Sequence, residues 1–505
     1  MADARGTPHR WPGTANRILT VLAIAGAVLS VALFLRRGMA VWSAAAIAPG
    51  VIVSSGCEQE SQFAVWRAIR DQPVYVDSHR QPYAAAYFNW LFYHGYAPLL
   101  RRVTATQGDS ALPRYGRLIT AAGGVAGALA FAWLLFRLDD RRLIFAAAVA
   151  GYVYFGPLIG WWAHTVRPDV WALACETGAV VVLLAAGRAR PWRAVLASTL
   201  LFFAAWSFKQ TFVCGLGAAV LFLVARRRWR MAAGLVTGSV ALWTGTLLTL
   251  GANYRYALFH VTPYDIFSLR IGLDNLVLAL AKAAPLVVLA AAAFREGWRN
   301  SPNVPLTPLA ADARLLGGIG ILVSGPLAFL ASCKFGAWVN YYFTFSLMLA
   351  LYGSAWPPPR QRKLGAAAAT VSLALVLQGL ALVGAVGVID LTPQARTLAV
   401  RWEVWRHLPE PRFSHDTRLN LPWLNKGSPA FVLAFNYGLE RMARTRYEGG
   451  GLGGLIEAGY FSALLLPAET TGEYDGGSLR RYVRGQTVEG MTAFVRTESV
   501  TPPNR

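Results

Sequence analysis

Uninterrupted apolar blocks constrain this chain more than any other feature of its sequence. A helix rises 1.5 Å per residue, so about 20 apolar residues cross a bilayer. Blocks on that scale fall at roughly 18–36, 115–137, 143–163, 169–187, 194–208, 211–225, 231–251, 273–294, 313–331, 341–356 and 365–388. A soluble core has no use for so many. Charged residues make up only 15%, against about 25% in an ordinary soluble chain. The expected class is an α-helical polytopic membrane protein with about 11 transmembrane helices.

The segments between blocks alternate in charge. Those holding Arg5 and Arg10, Arg141 and Arg142, Arg188 to Arg193, Arg226 to Arg230, Arg295 to Arg299, and Arg360 to Lys363 are basic. Placed in the cytoplasm, they satisfy the positive-inside rule at every second loop. Arg36 and Arg37, just after the first block, break the pattern unless they snorkel or the first helix runs longer. The net charge of +22 suggests nucleic acid in a soluble protein. Here the base sits at block ends and orients helices against the lipid bilayer, so no nucleic-acid partner is expected. The four cysteines, at 57, 175, 214 and 333, have no metal-ligand spacing.

This orientation puts the N-terminus in the cytoplasm and, with an odd number of spans, the C-terminus outside the cell inner (plasma) membrane. Two domains follow. Residues 1–389 form the transmembrane domain, including a long extracytoplasmic loop at 54–113 with interfacial helices. Residues 390–505 form an extracytoplasmic α/β domain, with strand-like runs at Ala430 to Ala434 and Phe461 to Leu466.

The long loop carries the first candidate chemistry. Phe63, Trp66 and Ile69, then Phe88, Leu91, Phe92 and Tyr96, fall at helical spacing. They predict two amphipathic helices with aromatic residues at headgroup depth. Glu58 and Glu60 stand at the membrane exit, where a carboxylate can act as a general base or merely favour the first turn of a helix. Four short loops on the same face carry cations: His164 to Asp169 with Arg167, Lys209 to Thr211, Asn253 to Tyr256 with Arg255, and Cys333 to Tyr342 with Lys334. Lys209 lies inside a nearly continuous apolar stretch, where an unpaired charge costs roughly 2.5–3.5 kcal/mol. Cations gathered with an acid on one face suit an anionic substrate such as a lipid phosphate.

These residues resemble the GT-C superfamily of membrane glycosyltransferases, particularly the bacterial group similar to dolichyl-phosphate-mannose-protein mannosyltransferases and aminoarabinose transferases. Four features carry the likeness: Glu58 leading to Asp71-Gln-Pro-Val-Tyr75-Val-Asp77; Tyr87 to Tyr93; Arg167-Pro-Asp169 with Lys209-Gln-Thr211; and Gly336-Ala-Trp-Val-Asn340-Tyr341-Tyr342. In the tail, Phe413 to Asp416 and the run from Gly459 are also similar to that group. The chain departs from the pattern in carrying Glu58-Gln-Glu60 where adjacent acids are common. Asp71 stands where a glycine is expected, and the proline of the second motif is absent.

The resemblance implies a GT-C-like bundle with a C-terminal periplasmic α/β domain. It implies transfer of a sugar from a polyprenyl-phosphate-linked donor to an extracytoplasmic acceptor by one inverting displacement. Glu58 is the first choice for the catalytic acid and Glu60 the second. Lys209, Arg167, Arg255 and Lys334 would hold the donor phosphate. His164, Asp169, Tyr75, Asp77, Asn340 and Tyr341 would support that shell. No cofactor or metal is expected, although a divalent ion helps some members. The competing function is a transporter or lipid flippase, which a matched pair of broken helices in two halves would favour.

Overall fold

The computed structural model describes residues 13–48, 50–51, 53, 58–77, 80, 86–138, 143–260, 267–300, 306–334, 336–355, 390–425, 448–469 and 479–497. The expected span at 365–388, the strand at 430–434 and several of the basic loop residues (Arg5, Arg10, Arg141, Arg142 and Arg360 to Lys363) lie outside them, as does Cys57.

Ten of the eleven expected blocks overlap helices among the described residues, and the first loop and Gly251–Phe259 add three more helices. In order these are α1 (Gly13–Ile47), α2 (Glu58–Ile69), α3 (Trp90–Gln107), α4 (Leu112–Leu138), α5 (Leu143–Phe155), α6 (Asp169–Ala186) and α7 (Pro191–Phe208). Then follow α8 (Cys214–Ala225), α9 (Trp229–Thr249), α10 (Gly251–Phe259), α11 (Leu269–Lys282), α12 (Ala284–Asn300), α13 (Pro308–Ser332) and α14 (Phe343–Ser354). Among the described residues five helices are long and apolar enough to cross a membrane, or six if one bent pair counts as a span. That pair is the expected block at 273–294, which breaks between α11 and α12 with a bend of 76°. No second break of this kind occurs among the described residues.

Helix α1 runs ten residues past Arg37, which settles the anomaly of Arg36 and Arg37. Both lie within the helix, and the Arg37 guanidinium donates to the Phe155 carbonyl at 3.0 Å. The bundle closes where small residues let helices approach. A Cβ at Gly127 of α4 would sit 2.3 Å from the Tyr154 ring of α5.

The two ends of the bundle differ in chemistry. At one end Arg188 and Arg226, from two of the basic loops, both reach Asp312 at 2.7 Å. The opposite ends of α6, α7, α8 and α14 carry the loops with the candidate site.

The long first loop does form two helices, but α2 is not laid on a surface. Of its twelve residues only Trp66 is outside the buried class. It is covered by α3 and by Leu421, Trp423 and Leu424 of the C-terminal region. That region begins with the helix Thr392–Trp405. It continues into a four-stranded sheet ordered β1 (Arg412–Ser414), β2 (Ala463–Pro467), β4 (Met491–Arg496), β3 (Tyr482–Val488). Strands β1 and β2 are parallel and the other pairs antiparallel. Leu398, Trp405, Leu465 and Met491 pack on Val41, Ala44 and Ala48 at the end of α1. The C-terminal region thus meets the first helix through the helix Thr392–Trp405 and the first loop through Leu421, Trp423 and Leu424.

Candidate active site

Asp169 is the hub. It opens α6, where the helix N-terminus favours a negative charge, and its side chain is only 1% exposed. Oδ1 accepts from the Lys209 ammonium and from Asn340 Nδ2 at 2.7 Å. Oδ2 accepts from Arg167 Nε at 3.3 Å. The loop after α7 and the turn before α14 therefore meet on one carboxylate. A buried acid with two cations compensates charges that would be costly alone.

Aromatic faces seat the same cations. Arg167 stands 4.1 Å from the Trp162 ring centre and 5.2 Å from that of Phe88. Lys209 lies 5.1 Å from Tyr341 and 5.8 Å from Phe88, and Lys334 lies 5.3 Å from Tyr341. Such cation–π contacts help hold a buried charge in place. Two cations thus meet one acid, and Lys334 shares the Tyr341 ring with Lys209.

Phe88 is fixed on all sides. Its amide donates to Tyr93 Oη at 3.0 Å, and its carbonyl accepts from Tyr75 Oη at 3.1 Å. The neighbouring Tyr87 carbonyl accepts from Gln210 Nε2 at 2.9 Å. Asn89 caps α3 by accepting from the Trp90 amide at 2.8 Å. Its Nδ2 donates to the Trp206 carbonyl at 2.8 Å, and its Oδ1 accepts from Tyr254 Oη at 2.5 Å. The Tyr87 to Tyr93 motif is therefore the piece that locks the first loop against the ends of α7 and α10.

Glu58 and Glu60 differ in kind. Glu58 Oε1 accepts from Arg117 Nε at 2.9 Å and from the Val166 amide at 3.0 Å, while Oε2 accepts from the Val53 amide at 3.2 Å. The Arg117 guanidinium also donates to the Val51 carbonyl. Glu58 therefore ties the first loop to the residue preceding Arg167. Glu60 is equally buried, but its Oε2 has no hydrogen-bond partner among the described residues. Burial pushes its carboxyl up to about 7, a rise that the nearby Arg167 charge partly offsets.

Three expected residues stand apart. Arg255 is exposed and donates to the Leu247 carbonyl at 3.0 Å. Asp77 pairs with Arg80 at 3.5 Å. His164 is buried with its ring 4.7 Å from Phe34 of α1; burial, then the Arg37 charge, hold it down to about 4. Asp71, standing where the resemblance expects glycine, has a φ of 56°. That is the left-handed region glycine adopts most easily, so the backbone keeps the shape of the motif.

Phe88 was read only as part of a helical stripe, and Arg117 and Glu176 were not singled out. A signal existed for the last two. Each is a charge inside an apolar block, the same argument that selects Lys209. Among the described residues no three His, Cys, Asp or Glu side chains converge. A cleft of about 660 Å³ opens on the far side of Tyr75, bordered by Asp71, Gln72, His94 and Asn253.

No family model matches the sequence. The fold does have counterparts. ArnT from Cupriavidus metallidurans, solved bound to undecaprenyl phosphate, superposes with a TM-score of 0.58 at 12% identity, covering 94% of this chain and 99% of that one. Its apo structure gives 0.58 at 13% identity over the same shares. The archaeal oligosaccharyltransferase AglB from Archaeoglobus fulgidus, solved with an inhibitory peptide and a dolichol-phosphate, gives 0.46 at 12%, covering 94% and 75%. The chain is a multi-pass membrane protein with a fold like that of ArnT, as the expected GT-C-like bundle implies.

Proposed function

We propose that this chain is a glycosyltransferase of the inner membrane. It would move a sugar from a polyprenyl-phosphate-linked donor to an extracytoplasmic acceptor, with inversion at the anomeric carbon. The observation that carries the reading is the pairing of Arg167 and Lys209 with the buried acid Asp169, with Lys334 on the same Tyr341 ring as Lys209 and a buried Glu60 oxygen that has no hydrogen-bond partner among the described residues. That ArnT, of like fold, was solved with undecaprenyl phosphate bound supports the choice of donor. The basic loops that meet at Asp312 support a cytoplasmic position for the far end of the bundle. The N-terminus is then cytoplasmic and the domain at 390–505 extracytoplasmic.

In this reading the acceptor hydroxyl gives its proton to Glu60 as its oxygen bonds to the anomeric carbon. The bond from that carbon to the phosphate oxygen breaks, and the electron pair stays on the phosphate. Lys209, Arg167 and Lys334 balance the charge that develops there. Glu58, held by Arg117, keeps the first loop in register rather than taking the proton. A polar, hydroxyl-bearing acceptor would enter through the cleft beside Tyr75.

The test is sugar transfer from a polyprenyl-phosphate donor. Glu60→Gln should keep donor affinity within about twofold while transfer falls by roughly 10²-fold or more. Full transfer by Glu60→Gln, with loss confined to Glu58→Gln in a folded protein, would move the base to Glu58.

A further inference from the structure

A second buried carboxylate lies on α6, and the transfer chemistry does not use it. Residues 169 and 176 are seven apart, two turns of helix, so they face the same way. Glu176 is fully buried. Its Oε1 accepts from the Gly215 amide at 2.8 Å and its Oε2 from Thr344 Oγ1 at 2.5 Å.

The positions of those two partners matter. Gly215 lies in the first turn of α8, just beyond Lys209, and Thr344 lies in the first turn of α14, just beyond Asn340. Neither helix has a side-chain cap at its own N-cap position, so the first amides need acceptors from elsewhere. Glu176 supplies one to α8. Two acids on one face of α6 therefore bind the same two segments in two layers. Asp169 takes Lys209 and Asn340 at the end of the bundle, and Glu176 takes Gly215 and Thr344 beneath them. Gly215 is part of the arrangement, because a Cβ there would lie 2.3 Å from Glu176 Oε1. Both partners are neutral donors, so geometry rather than charge carries the link.

We infer that Glu176 is a positioning residue: by anchoring the starts of α8 and α14 it sets where Lys209 and Asn340 stand, and through them the affinity for the donor phosphate. The inference rests on the phosphate-binding reading above.

The experiment measures undecaprenyl phosphate binding to the purified full chain in nanodiscs. The variants are Glu176→Gln, Glu176→Met, Gly215→Ala, Lys209→Ala and the double variant Lys209→Ala/Glu176→Met. Glutamine can accept from Gly215 and meet Thr344, so Glu176→Gln should stay within about twofold of wild type. Glu176→Met should weaken binding roughly tenfold. Gly215→Ala should do the same, although alanine is the better helix former. In the Lys209→Ala background Glu176→Met should cost less than about twofold more. Unchanged affinity in Glu176→Met and Gly215→Ala overturns the inference. So does a loss of equal factor with and without Lys209, which would mean general loosening. Should Lys209→Ala itself bind like wild type, the phosphate-binding reading fails, and the inference falls with it.

Discussion

Among the described residues three buried aspartates each hold two cations: Asp312 at one end of the bundle, Asp169 at the other, and Asp416 in the C-terminal region. The last two make the sharper comparison, because only Asp169 stands in the proposed site. Asp169 takes Arg167 from two residues before it and Lys209 from another helix end. Asp416, in the C-terminal region, takes Arg418 from two residues after it and Arg401 from the preceding helix. Both acids are nearly sealed, with side chains 1% and 6% exposed. The surroundings decide the difference. Around Asp416, Arg418 pairs through both its Nε and Nη2 at 2.6 Å, and Arg401 gives further bonds to the Glu489 carbonyl. Burial would raise that carboxyl, but the two guanidiniums outweigh it and hold it below the usual carboxylate range. The donors are consumed by the fold itself. Around Asp169 the cations rest on the faces of Phe88, Trp162 and Tyr341, and Lys334 shares the Tyr341 ring with Lys209. Ring faces add to the seating of the Asp169 cations, and this is the cluster proposed to take the donor phosphate.

That contrast can be broken by exchanging the roles of the two acids in experiment. The largest effect expected is on stability. Asp416→Asn removes the acid from two guanidiniums and should cost about 2–4 kcal/mol in chemical or thermal unfolding. It should leave donor affinity unchanged in whatever fraction stays folded. Weakened donor binding by folded Asp416→Asn would erase the distinction.

A pH series sharpens it further. Glu60 titrates near 7 in the fold against an ordinary 4.5. The folded state therefore holds a proton that the unfolded chain has already lost, and wild-type stability falls as pH rises from about 4.5 through 7. Glu60→Gln lacks this loss. It should match wild type near pH 4.5 and exceed it above pH 7, by roughly 1–3 kcal/mol. Equal stability of the two proteins at every pH would mean that Glu60 is not held neutral by burial. The smallest effect belongs to Arg255, which is exposed and turned to a backbone carbonyl. Arg255→Ala should alter donor affinity by less than about twofold, and a larger loss would bring this residue back into the phosphate shell.

The helices were legible because apolar blocks have one solution in a bilayer, and the cations of three short loops were legible because charge beside apolar sequence is expensive. The partner of Glu58 was not. Arg117 arrives from 59 residues away to bind it, and no local pattern announces such a pairing. The burial of α2 was hidden for the same reason. An amphipathic stripe reads as interfacial until Leu421, Trp423 and Leu424 are known to cover it. Arg255 and Lys209 are both cations near helix ends, and the apolar stretch around Lys209 already set it apart. The structure adds its burial, its pairing with Asp169 and the rings of Phe88 and Tyr341.

The most direct test of the account is the affinity of the purified protein for a polyprenyl-phosphate sugar, compared with a plain phospholipid, in wild type and in Lys209→Ala. The account predicts that wild type prefers the polyprenyl-phosphate sugar and that Lys209→Ala weakens this binding by about tenfold or more. No preference over phospholipid in wild type, or full affinity in Lys209→Ala, would contradict it.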